Sequence, residues 1–195
     1  MAKVLERPAT QQRSPEVPVE DTYRRVCEAL PELRVELISG RVVVNEVPTG
    51  DHNNVIALLL MQIMGVVSER NWRIWTNIKM FLGSQADRYI PDLVIVPPKP
   101  RMWGDDEVYG DSTLLAVEVV SRSSSTDDHI VKPKNCALAE VPLYLLIDPF
   151  QDIAILLSHP TEKGYLQQTQ VPLGKPLDLP EPWKITIDTG KLIDT

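Results

Sequence analysis

Residues 114–120 read Leu-Leu-Ala-Val-Glu-Val-Val, an apolar run broken only by Glu118. A run without polar alternation describes a strand covered on both faces, with other layers of structure packed above and below it. Residues 143–147, Leu-Tyr-Leu-Leu-Ile, form a second strand of this kind. Between them lie a Ser/Thr-rich stretch and a segment of helical character ending at Glu140. Strand, helix and strand in that order require a right-handed crossover, so the expected fold is mixed α+β with a mixed central sheet flanked by helices.

The rest of the chain fits around this unit. Of 195 residues, 43% are hydrophobic, enough for one core, so a single domain over residues 17–195 is expected. Residues 1–16 are polar and aperiodic, which predicts a mobile tail. Apolar spacing predicts a short amphipathic helix over residues 18–30. The dipeptide Ser39-Gly40 between β-branched runs predicts a hairpin over residues 35–47. A helix capped by Asp51 and running to Arg70 is apolar on most of its circumference, so it packs between a sheet and a further layer, such as a second subunit. Alternation predicts strands over residues 72–82 and 88–96, then a long loop over residues 97–112. Beyond Asp152 the pattern predicts an antiparallel extension, with strands over residues 153–157 and 165–171 and a proline-rich finish.

The formal net charge of −7 argues against a protein that coats nucleic acid, because such binding sums many Lys and Arg contacts to phosphate. Cys27 and Cys136 make neither a disulfide framework nor a zinc spacing, and no signal-peptide core stands at the N-terminus, so a reducing cytoplasm is expected. The most apolar stretch, residues 55–67, is shorter than the roughly 20 residues of a membrane span.

Glu118 stands where every neighbour belongs in a core. A buried, unpaired carboxylate costs several kcal/mol at least, so it needs a cation, a donor or a proton. Asp92 repeats the problem in Tyr-Ile-Pro-Asp-Leu-Val-Ile-Val, where Pro91 weakens a central ladder and suggests an edge or bulge. Glu36, in Val-Glu-Leu-Ile, is a third such acid. Taken singly, each could be a cap or a salt-bridge partner of an arginine such as Arg34 or Arg88. If their strands are neighbours, the carboxylates converge, and like charges so close require a metal ion or a bound proton. Oxygen ligands without nearby His or Cys suit a hard cation, Mg²⁺ or Mn²⁺; His52, His129 and His159 show no ligand spacing.

The wider string is Glu36-Leu-Ile-Ser-Gly40, His52 opening a helix, Pro91-Asp92-Leu-Val, Val117-Glu118-Val-Val-Ser121, Asp128 with Lys132, and residues 141–149, Val-Pro-Leu-Tyr-Leu-Leu-Ile-Asp-Pro. In this order and spacing the chain resembles the Uma2 family of nucleases with the PD-(D/E)XK restriction-endonuclease-like core, over roughly residues 20–160. The common signature places its lysine two positions after the second acid, where this chain has Val120. The resemblance implies that Lys132, on the following helix, takes over that role. Two departures stand out: Cys136 replaces a usual tyrosine, and Pro133 follows the lysine. Because proline pushes its predecessor out of helical geometry, the helix is expected to begin at Pro133 with Lys132 at its cap, where the dipole would lower the amine's pKa. Lys134 is the fallback.

The resemblance implies phosphodiester hydrolysis of nucleic acid, DNA foremost, leaving a 5′-phosphate and a 3′-hydroxyl. Asp92, Glu118 and the Val119 carbonyl would hold Mg²⁺ or Mn²⁺. Lys132 would orient or help deprotonate the attacking water, and Glu36 would complete the metal shell or position the ion. His52, Arg88, Arg122 and Asp128 are expected to orient groups or contact substrate. Arg41, Arg73, Lys79, Arg101 and Lys134 are further candidates for a basic groove, with Trp75 and Trp103 as stacking surfaces. A homodimer is expected, built on the residue 51–70 helix. The competing readings are a scaffold whose acids are held by internal pairs, and metal-free acid/base hydrolysis of sugars by paired carboxylates.

Overall fold

A computed structural model of the chain describes residues 18–83, 86–122 and 124–193. The expected tail, residues 1–16, lies outside them. Helix α1 (Val19–Ala29) lays Tyr23 against Val35 and Leu37 of strand β1 (Arg34–Ile38). β1 returns as β2 (Arg41–Asn45) through Ser39 and Gly40, whose φ angles of 49° and 76° are the paired left-handed conformations of a primed hairpin turn. Helix α2 (Gly50–Glu69) is capped by Thr49, whose side chain accepts from the His52 backbone N–H at 3.3 Å; the expected cap, Asp51, already lies in the helix.

Each of the next two expected strands breaks in the middle. Residues 72–82 become β3 (Arg73–Trp75) and β4 (Lys79–Leu82), separated by Asn77 at φ 55°. Residues 88–96 become β5 (Asp87–Tyr89) and β6 (Leu93–Val96), separated at Pro91, which has no N–H for a ladder. The paired breaks fold the ribbon across a corner, so β3 and β6 join one sheet while β4 and β5 join another. Asp92 sits at that corner.

Part of the expected loop is strand β7 (Glu107–Tyr109), parallel to β4, followed by a 3₁₀ turn (Gly110–Ser112). β8 (Leu115–Val119), helix α3 (Lys132–Leu138) and β9 (Leu143–Asp148) form the predicted crossover, with β8 and β9 parallel. β10 (Ile153–Thr161) and β11 (Gly164–Pro172) form the antiparallel extension. The proline-rich finish holds an unexpected hairpin, β12 (Pro176–Leu179) and β13 (Ile185–Asp188).

The strands make a six-stranded sheet, β11-β10-β9-β8-β6-β3, and a five-stranded sheet, β2-β1-β5-β4-β7, beside the terminal two-stranded one. The fold is the mixed α+β arrangement that the sequence predicts. One core packs α2 and the terminal hairpin on the first face of the six-stranded sheet, through Leu59, Ile63, Val117, Leu145 and Trp183. The other packs Met80, Tyr89, Ala116, Val120 and Cys136 between the second face, the five-stranded sheet and α3. The chain's own terminal hairpin packs along one flank of α2, while Met61 and Met64 on its outer face stay 69% and 50% exposed. Gln62 Nε2 donates to the Asp188 carbonyl at 3.1 Å, and Asp188 N–H donates to Gln62 Oε1 at 2.8 Å. No helix among the described residues is long and apolar enough to cross a membrane.

Candidate active site

Strand alternation decides where Glu118 points. Leu115, Val117 and Val119 of β8 face the first core, so Ala116, Glu118 and Val120 face the layer that contains α3. In the β6–β8 register Leu93 opposes Val117, and one step further brings Asp92 alongside Glu118. Asp92 Oδ2 accepts the Val119 N–H at 2.9 Å, and Oδ1 accepts Arg34 Nη1 at 2.8 Å. Arg34 also donates to the Ile90 carbonyl. His52 Nε2 lies 3.1 Å from Asp92 Oδ1, near enough for ionic contact but off the hydrogen-bond line. Glu36 enters from β1, accepting the Ile90 N–H on Oε1 and Asn45 Nδ2 on Oε2, both at 2.7 Å.

Lys132 closes the cluster. Its Nζ lies 2.8 Å from Glu118 Oε1, 3.1 Å from Asp128 Oδ1 and 3.3 Å from Glu36 Oε2, and its side chain is 5% exposed. The expected cap position is not what the backbone adopts. A π-helical turn, Asp127–Val131, runs into α3 without interruption, and Lys132 has helical φ and ψ of −62° and −47°. Pro133 offers no N–H to the preceding turn, and the wider turn absorbs that loss without breaking the helix. Asp128 is held from behind by Ser124 Oγ on Oδ2, and its carbonyl accepts the Tyr144 hydroxyl at 3.1 Å.

Electrostatics follow from this packing. Burial pushes the Glu118 carboxyl well above the usual carboxylate range; Lys132 opposes the rise, while Asp128, Asp92 and Glu36 add to it. Burial and Glu36 likewise raise Asp128 against the pull of Lys132 and Ser124. For Asp92, burial is outweighed by His52, Arg34 and the Val119 N–H, and the carboxyl is lowered. Burial disfavours the Lys132 ammonium, but Glu118, Glu36 and Asp128 overcome it and raise the amine, opposite to the dipole effect expected from sequence.

These groups lie in one cleft of about 900 Å³, which His52, Arg122 and Asp128 also line. Arg88 is elsewhere: it is buried on the five-stranded sheet and paired with Glu20 and Glu107, so it belongs to the structure of that sheet. Among the other cationic candidates, Arg41 pairs with Asp127, Lys79 with Asp106 and Arg101 with Asp111. Trp103 stacks on Phe81. Sequence reasoning missed Asn45 and Ser124, and it named Arg34 only as a salt-bridge partner. Alternation carried a signal for two of these, because Arg34 and Glu36 share one face of β1 and Asn45 opposes Arg34 across the hairpin.

The donor set suits a hard divalent cation in chemistry and charge. Glu36, Asp92, Glu118 and Asp128 carry up to four negative charges against the two of Lys132 and Arg34, an excess of two. Among the described residues no three His, Cys, Asp or Glu are grouped to hold an ion. Mg²⁺ commonly uses one or two carboxylates and fills its shell with water and phosphate, which Asp92, Glu118 and the Val119 carbonyl could provide for.

A family model named Uma2 and described as a putative restriction endonuclease matches residues 20–189. No curated protein matches the chain. Among solved structures, a putative nuclease belonging to DUF820 from Anabaena variabilis aligns with a TM-score of 0.64 at 16% identity, over 81% of this chain and 88% of that one. At that identity the likeness speaks for the fold.

Proposed function

Because the chain belongs to the Uma2 family, we propose that it is a metal-dependent endonuclease that hydrolyses phosphodiester bonds of DNA in the cytoplasm. The observation that carries this reading is the meeting of Glu36, Glu118 and Asp128 around one buried lysine, with Asp92 alongside Glu118, in one cleft. An Mg²⁺ or Mn²⁺ ion on Asp92, Glu118 and the Val119 carbonyl would neutralise phosphoryl charge and acidify a bound water. The chain's own residues divide the remaining tasks. Lys132, paired with Glu118, Glu36 and Asp128, would orient the attacking water from Nζ and offset charge developing on the phosphoryl oxygens. Asp128, whose Oδ1 is held by the Lys132 ammonium at 3.1 Å and otherwise lines the cleft, is the candidate acceptor for the water's proton. Glu36, anchored by Ile90 and Asn45, is a positioning residue for Lys132. Arg34 and His52 hold Asp92 in place.

The internal pairing of Lys132 favours a second reading, a scaffold that binds a partner without chemistry. Calorimetric titration of Mg²⁺ and Mn²⁺ together with plasmid nicking separates the two. The nuclease reading expects binding and nicking in the native chain and neither in Asp92→Ala or Glu118→Ala. Absence of ion binding in the native chain, with DNA present, leaves the scaffold standing.

A further inference from the structure

We propose that the mouth of the cleft is a stacking subsite for an unpaired nucleobase, so that the preferred substrate is single-stranded nucleic acid. This rests on the nuclease reading above. The subsite centres on Phe150, in the turn between β9 and β10. The residue is 54% exposed although it lines the cleft. The Arg122 guanidinium stands 4.7 Å from the ring centroid. From another connection, between β2 and α2, Val47 lines the same cleft and is 80% exposed. Large apolar side chains left in water at the mouth of an acidic cleft favour a ligand with an apolar face. A nucleobase has one, and it stacks on an aromatic ring whatever its sequence.

The turn that presents Phe150 is built rigidly, through groups that the proposed chemistry does not use. Asp148, 1% exposed at the end of β9, accepts the Phe150 N–H on Oδ1 at 2.8 Å and the Gln151 N–H at 3.0 Å. Its Oδ2 lies 2.7 Å from His129 Nε2 on the π turn that precedes Lys132. The same buried carboxylate thus ties the stacking ring to the segment carrying Asp128 and Lys132. A platform fixed in this way loses little entropy when a base settles on it.

Charge points the same way. A duplex is held by many Lys and Arg contacts to phosphate. Among the described residues lining this cleft, Arg34 and Lys132 are committed to carboxylates, and Arg122 is the arginine left facing a ring. Glu46 and Asp51 line the cleft as well and add negative charge. With so few free cations, affinity must come from a source other than phosphate contacts. Stacking is available to a strand whose bases are exposed and closed to one whose bases are paired.

The test is fluorescence anisotropy with a labelled oligothymidylate, the same backbone with abasic residues, and a duplex of equal length, all with Ca²⁺ present. The oligothymidylate should bind at least about tenfold tighter than either competitor, and Phe150→Ala should weaken it about 5- to 150-fold. Phe150→Tyr should restore binding, and the abasic strand should not respond to either change. Equal affinity for duplex and oligothymidylate, or an equal effect of Phe150→Ala on the abasic strand, overturns the subsite and leaves the nuclease reading to the nicking assay. Failure of the native chain to bind any of the three sinks both.

Discussion

Helix α3 enters two buried polar clusters one turn apart, and they are built on opposite terms. Asn135 serves the first. Its Nδ2 donates to Ser39 Oγ and Asp87 Oδ2, both at 2.9 Å, and lies 2.7 Å from the Tyr89 hydroxyl. Asp87 also accepts the Ser39 N–H and the Tyr89 hydroxyl. A single carboxylate faces neutral donors, and none of the cluster's buried side-chain atoms lacks a partner among the described residues. Lys132 serves the second, where carboxylates outnumber cations and where Asp128 Oδ1, His52 Nε2 and Arg34 Nε lie buried without a hydrogen bond. A cluster that only builds structure closes its hydrogen bonds, because each open one costs stability. The second leaves a guanidinium N–H, a ring nitrogen and a carboxylate oxygen short of a well-aligned hydrogen bond beside a cleft, and that is where the two clusters differ.

The largest effect expected from this contrast is at Lys132. Lys132→Met removes the one ammonium shared by Glu118, Glu36 and Asp128 and should cost about 3–5 kcal/mol in urea unfolding at neutral pH. Added Mg²⁺ should recover more stability in this variant than in the native chain, because the negative excess has grown. A loss under about 1 kcal/mol would mean that the carboxylates do not depend on the amine. Asn135→Leu strikes the closed cluster and should cost less, about 1–3 kcal/mol, by leaving Asp87 and the Ser39 turn short of a donor. That loss should be indifferent to Mg²⁺. If Mg²⁺ rescues Asn135→Leu as well, the two clusters are not distinct.

How much of this was legible in the sequence depended on whether a residue's role was local. Glu118 was visible because six of the seven residues 114–120 announce burial and one contradicts them. The hairpin was visible because Ser39 and Gly40 suit its turn. The breaks at residues 76–78 and 90–92 were not, because alternation continues unbroken through a corner; only Pro91 hinted at one. The terminal hairpin was obscured by prolines, although Leu177, Leu179, Ile185 and Ile187 carry its alternation. For Lys132, local rules failed. Helix logic around Pro133 predicted a cap and a lowered pKa, whereas Glu36 and Glu118 from distant strands, together with Asp128 one turn back, push it the other way. Arg88 failed the other way: an arginine beside a candidate strand looked like a substrate contact, but its partners Glu20 and Glu107 come from elements that only the fold brings together.

The smallest effect is the most discriminating, because its sign is fixed by protonation. The Glu118 carboxyl is raised in the folded chain, so the native state keeps a proton that the unfolded chain releases near its ordinary value of about 4.3. That contribution to stability is complete below the ordinary value and is lost as pH rises through the raised one. Asp128 acts in the same direction. Asp92, lowered, acts in the opposite sense but only below its ordinary value of about 3.9. Lys132, raised, begins to lose its contribution only above the ordinary amine value of about 10.4. Mild acidification from about pH 7.5 to 5.5 should therefore raise the melting temperature by a few degrees. Glu118→Gln carries the protonated form's neutrality at every pH, so it should melt higher than the native chain at pH about 7.5 and respond less to acid. The closed cluster provides the control, since Asn135→Leu should leave the native slope unchanged. A Glu118→Gln chain that melts lower at neutral pH would mean that the Lys132–Glu118 pair stabilises more than the crowding of carboxylates costs, and the charge excess would then no longer distinguish the site from the closed cluster.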